Sequence, residues 1–151
     1  MNILVLCTGN SARSILLEHI LQDAGVTAFS AGSQPTGAVH PQSITLLNRL
    51  GYDTTQARSK SWDEFEGADA PQMDAVITVC ASAAGETCPL WPGTPVRAHW
   101  GVDDPAKAAE DDWDNAFQTA YDILKRRADA FLALDIAMPL QDRLNHVADL
   151  P

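Results

Sequence analysis

Asn2-Ile3-Leu4-Val5-Leu6-Cys7-Thr8-Gly9-Asn10-Ser11-Ala12-Arg13-Ser14 decides the fold. Asn2 to Cys7 is a short, continuous apolar run, the pattern of a parallel strand covered on both faces. From Ser14 to Ala24 the chain carries Ile15, Leu16, Leu17, Ile20 and Leu21 at helical spacing, and Gly25 stops that helix. The same alternation continues outward. Thr27 to Ala31 reads as a second strand ending at Gly32. His40-Pro41 starts a second helix, with Ile44, Leu46, Leu47 and Leu50 on its buried side. Asp74 to Cys80 and Val96 to Trp100 read as the third and fourth strands. A long helix spans about Asp111 to Leu134, and the tail from Met138 forms a short helix or irregular cover.

Four short strands separated by helices predict an α/β domain, a small doubly wound parallel sheet with helices on both faces. Residues 1–151 read as one domain. In such sheets the functional loops gather at the carboxyl ends of the strands. Cys7 closes the first strand, Cys80 closes the third, and Asp104-Pro105 follows the fourth.

Composition narrows the function. The formal net charge is -10, which disfavours non-specific binding to nucleic acid or an anionic membrane. The N-terminal apolar run is too short for a span and lacks a basic leader, so a soluble, cytoplasmic and monomeric protein is expected. Three cysteines, an odd number, suit reactive thiols better than a disulfide framework. The chain has no Cys-x2-Cys or His-x3-His spacing, so no zinc site is expected.

The segment from Cys7 to Ser14 has its own chemistry. A loop at a helix N-terminus turns backbone N–H groups inward and carries the positive end of the helix dipole. Gly9 and Asn10 tolerate the positive-φ backbone such a nest needs. Arg13 offers a planar fork for two oxygens of one anion. The same field favours a thiolate at Cys7, to which the Ser14 hydroxyl can donate. A thiolate at the floor of a preformed oxyanion cradle suits in-line attack on phosphorus or arsenic. Thr8, Gly9, Asn10, Ser11, Ala12, Arg13 and Ser14 are therefore the expected anion-binding residues.

This loop resembles that of the low-molecular-weight tyrosine phosphatases and of the arsenate reductases that share their fold. Ser30-Ala31-Gly32-Ser33, Arg58-Ser59-Lys60-Ser61-Trp62 and Asp104-Pro105 also look like segments of that family, so the resemblance covers nearly the whole chain. It implies that Asp104 is the general acid. It further implies room for a potassium ion near Asn10, Glu18, Ser33 and Asp63. Ser33 is also a candidate partner for the Asn10 side chain.

Two activities share the Cys7 loop. Phosphomonoester hydrolysis needs one cysteine, because water completes the cycle. Arsenate reduction must supply two electrons to arsenic, which two thiols give up on forming a disulfide, and Cys80 and Cys88 fit that need. Seven residues separate them, four of which are Ala or Gly, so the connecting segment can move. The chain looks like the reductases that pass a disulfide from Cys7–Cys80 to Cys80–Cys88. His99-Trp100-Gly101-Val102-Asp103-Asp104-Pro105 resembles their version of the acid loop, without the paired tyrosines of a phosphatase. The resemblance implies an external thiol donor, either thioredoxin or glutaredoxin with glutathione. It also implies arsenate as the bound anion, with phosphate or sulfate as mimics.

Overall fold

The computed structural model describes residues 1–86 and 91–151. Four strands, β1 (Asn2–Leu6), β2 (Thr27–Ala31), β3 (Ala75–Thr78) and β4 (Val96–His99), form one parallel sheet in the order β2-β1-β3-β4. Five α-helices accompany them: α1 (Arg13–Asp23), α2 (Pro41–Arg49), α3 (Ala81–Gly85), α4 (Trp113–Ala133) and α5 (Leu140–His146). None of these helices is long and apolar enough to cross a membrane.

The continuous apolar run of β1 is explained by its central place. Ile3 and Val5 pack into the core shared with the helices, through Ile15, Leu46, Phe117, Leu124 and Leu144. Leu4 and Leu6 point the other way, onto Phe65, Met73, Val76 and Trp91. That second face is covered by the 3-10 helix Trp62–Phe65 and by the indole of Trp91. Strand residues alternate sides, so a strand with apolar material on both faces has no polar face to show.

Several boundaries differ from the sequence expectation. α1 has no single stripe, because every residue from Ser14 to Leu21 is buried, including Glu18 and His19. The long helix begins with a separate 3-10 turn, Glu110–Asp112, before α4 starts at Trp113. Leu50 was expected on the buried side of α2 but is 41% exposed. It lies at the C-cap, where the chain leaves the helix and Gly51 takes a φ of 90°. Ala81–Gly85, which reads as loop, forms the short helix α3.

Register positions the site. Leu6 of β1 lies opposite Ala31 of β2 and Thr78 of β3, and Thr78 lies opposite His99 of β4. The ladder runs on beyond the strands, with Cys7 N–H donating to Ala31 O (3.2 Å) and Val79 N–H to Leu6 O (3.0 Å). The residues just past all four strands therefore leave the sheet side by side.

Candidate active site

Cys7 to Arg13 leave β1 and turn into α1, as the sequence implies. Asn10 takes a φ of 45°, the left-handed conformation expected of this loop. Gly9 does not share it. Its need for glycine is steric, because a Cβ there would lie 3.3 Å from the Thr36 methyl. Its carbonyl accepts from Thr36 N–H (3.0 Å) and from the Ser59 hydroxyl (3.1 Å).

Asn10 is fully buried and ties the loop to the strand beneath it. Its Nδ2 donates to Ser14 Oγ (2.9 Å) and Ser30 Oγ (3.0 Å), and its Oδ1 accepts from Lys60 N–H (2.9 Å). The partner expected for Asn10 was Ser33, but Ser33 Oγ has no hydrogen-bond partner among the described residues. The reason is alternation along β2. Ser30 lies in the strand and faces the loop, whereas Ser33 lies beyond the strand end.

The residues suggested for potassium do not converge on a cation. Ser30 Oγ donates to Glu18 Oε2 (2.6 Å), and the Lys60 ammonium lies 3.8 Å from Glu18 Oε1. Lys60 also donates to Arg58 O (3.3 Å) and Ser30 Oγ (3.5 Å). Asp63 is exposed on its 3-10 turn, and Asn10 Oδ1 already accepts from Lys60 N–H. A lysine already supplies the positive charge beside Glu18, and burial lowers its affinity for its proton. Lys60→Met is expected to cost about 3–5 kcal/mol, because it leaves a buried carboxylate unpaired. Urea unfolding of this variant and of Glu18→Gln/Lys60→Met measures it, and recovery in the double variant is the expected sign of the pair. Equal Tm in KCl and NaCl should accompany that result in the unaltered protein.

Arg13 faces the loop from the first turn of α1. Its guanidinium donates to Val102 O (2.9 Å) and lies 3.5 Å from Asp104 Oδ2, while its Nε has no partner among the described residues. Asp104 caps the 3-10 helix Pro105–Lys107, accepting from Ala106 N–H at 3.1 Å. The acid candidate and the arginine expected to bind the anion thus meet across the site, brought together from residues ninety-one apart in sequence.

Cys7 and Cys80 are buried free thiols that line one cavity and perturb each other's ionisation. Cys80 caps α3, with its sulfur accepting from Ala83 N–H at 3.3 Å and lying 3.7 Å from Thr8 Oγ1. The Cys7 side chain, together with these donors, pulls Cys80 down to about 5. Cys7 is pushed up, first by Cys80 and then by burial, against the pull of Arg13. The thiolate was expected at Cys7; the mutual influence of the two sulfurs raises Cys7 and lowers Cys80. Two thiols coupled in this way titrate as one unit, sharing protons between them.

A cavity of about 450 Å³ opens onto these groups. Residues 7–13, Cys80 and Asp104 line it, and so do Thr36, His40, Ser82, Ala106 and Lys107, which the sequence reading did not single out. Burial lowers the pKa of His40, and its Nδ1 accepts from Gln42 N–H. That hydrogen bond leaves the neutral ring's proton on Nε2. The His-Pro pair at the start of α2 was legible, but its nearness to the anion loop depends on His40 N–H bonding Ser11 O (3.0 Å). Cys88 lies outside the described residues.

Comparison with known proteins agrees with this geometry. Residues 2–142 match the family described as low molecular weight phosphotyrosine protein phosphatase. An arsenate reductase of Shouchella clausii is 37% identical over 133 residues, covering 83% of this chain and 91% of its own. That of Bacillus subtilis is 34% identical with the same coverage. Among solved structures, an arsenate reductase in a phosphate-binding state superposes with a TM-score of 0.70 at 25% identity, covering 87% of this chain and 96% of its own.

Proposed function

The chain belongs to the low molecular weight phosphotyrosine protein phosphatase family, and on that premise we propose that it reduces arsenate to arsenite with Cys7 as nucleophile and Cys80 as second thiol. One observation carries this reading. A second sulfur, Cys80, lines the same cavity as the Cys7 loop and Arg13, and each thiol shifts the other's ionisation. Hydrolysis has no use for it. Close homology to arsenate reductases supports the same choice.

The steps balance as follows. Arsenate enters the loop, where N–H groups and Arg13 hold its oxygens. The shared proton passes to Cys80, and the Cys7 thiolate attacks arsenic. An oxygen leaves as water, with Asp104 donating a proton to it. Once the S–As bond forms, Cys7 no longer holds charge against Cys80. Cys80 then gives up its proton readily, helped by Ala83 N–H. Its thiolate attacks Cys7 Sγ, and the S–As pair of electrons stays on arsenic, which leaves as arsenite. The Cys7–Cys80 disulfide that results is opened by Cys88, giving Cys80–Cys88. An external dithiol of the thioredoxin kind reduces that bond, or glutathione with glutaredoxin does so.

The alternative, phosphomonoester hydrolysis through a Cys7 phosphoenzyme, uses the same loop. Among the described residues no Phe, Tyr or Trp lines the cavity, and His40 is the one aromatic ring there to meet a phosphotyrosine. The deciding measurement is Cys80→Ser in a thioredoxin-coupled arsenate assay, beside hydrolysis of an aryl phosphate. Arsenate turnover is expected to fall to background while aryl phosphate hydrolysis stays within about tenfold. Undiminished arsenate turnover would remove Cys80 from the reaction and this reading with it.

A further inference from the structure

We infer that Lys107 is the cation that draws anions into the Cys7 cavity and makes the site prefer them over neutral reagents. The inference rests on Cys7 being the anion-facing nucleophile of the proposed function. It begins from an electrostatic problem: a chain of net charge -10 must admit a multiply charged oxyanion to a site lined by Asp104 and the sulfurs of Cys7 and Cys80. Such a field repels the substrate at long range, so attraction has to be local.

Among the described residues, only Arg13 and Lys107 line the cavity with an always-charged cationic side chain. Arg13 is already engaged, with Val102 O on one nitrogen and the Asp104 carboxylate 3.5 Å from another. Its charge is therefore partly cancelled until the anion arrives. The Lys107 side chain is exposed and makes no hydrogen bond or ion pair among the described residues. Most other cations are engaged elsewhere: Lys60 faces Glu18, Arg58 pairs with Glu64, and Lys125 pairs with Asp129.

Lys107 is also held in place relative to the chemistry. It ends the 3-10 helix Pro105–Lys107 that Asp104 caps, and its own N–H donates to Asp104 O at 3.2 Å. One rigid turn thus carries the acid and an unpaired ammonium at the rim. That ammonium offsets the repulsion between Asp104 and an arriving anion, and it stays solvated, so its effect is on capture rather than on the bond-making step.

The test uses two alkylating reagents of similar size, anionic iodoacetate and neutral iodoacetamide, on the whole protein, with modification of Cys7 followed by mass spectrometry. At low ionic strength, Lys107→Gln is expected to slow carboxymethylation of Cys7 by about three- to tenfold, and Lys107→Glu by more, while the iodoacetamide rate changes less than about twofold. Lys107→Arg should restore the preference, and about 0.5 M salt should erase it. In arsenate turnover the same variants should raise KM and leave kcat unchanged. An unchanged ratio of the two reagents, or equal slowing of both, overturns the role of Lys107 and leaves the proposed reaction standing. If neither reagent modifies Cys7 or Cys80 in the unaltered protein, the reading of the cavity as a reactive thiol site fails first, and this inference with it.

Discussion

Cys7→Ser is expected to abolish arsenate-dependent turnover and aryl phosphate hydrolysis together, each by at least about 10⁴-fold. A serine hydroxyl fills the same place at the end of β1 and keeps the loop backbone, but it does not ionise near neutrality. The protein should stay folded, because Cys7 is small and its ladder bond, Cys7 N–H to Ala31 O, belongs to the backbone. Steady-state assays beside a urea melt separate chemistry from folding. Retained activity in either assay would place the nucleophile elsewhere, and neither the relay nor a phosphoenzyme would survive it. Cys7→Ser also bears on the thiol pair. A serine can donate to Cys80, so Cys80 should remain acidic, reacting with iodoacetamide with a midpoint well below that of an ordinary cysteine.

Gly32→Ala should have the second largest effect, at a position that touches no substrate. A Cβ there would sit 2.7 Å from the Cys7 carbonyl oxygen and closer still to that of Thr8. Both obstacles are backbone, so no side chain can rotate away. Gly32 itself is pinned, its N–H donating to Lys60 O (2.9 Å) and its carbonyl accepting from Trp62 N–H (3.0 Å). The loop must therefore shift, and with it the donors aimed at the anion. We expect a loss of about 2–3 kcal/mol of stability from the overpacking. Turnover should fall by about 10²-fold, since small displacements of reacting groups are costly. Urea unfolding with kcat/KM measures both, and an alanine variant with the stability and rate of the unaltered protein would show that the Cys7–Thr8 backbone can yield.

These expectations draw unequally on sequence and structure. The Cys7 loop was legible because it is local: strand, turn and helix follow one another, and Asn10 and Arg13 are fixed by their distance from Cys7 along the chain. The four strands were legible for a similar reason, since apolar runs and their stops are short-range signals. Ser33 was the wrong partner for Asn10 because choosing between Ser30 and Ser33 requires the register of β2 on β1, which side-chain type does not encode. Leu50 and the start of α4 were misjudged by a turn or less, where helix ends depend on what the next segment packs against.

The sequence by itself determined the four strands and the turn from β1 through Cys7 to Arg13 into α1, because each depends on neighbours in the chain. Only the tertiary structure decided how these groups share charge. Lys60 meets Glu18, Arg13 meets Asp104, and Cys80 meets Cys7 across long stretches of chain. Coulomb and hydrogen-bond energies fall away within a few ångströms of polar medium. Which sulfur holds the negative charge, and which cation faces the cavity, thus depends on distances that parallel pairing sets and spacing along the chain does not.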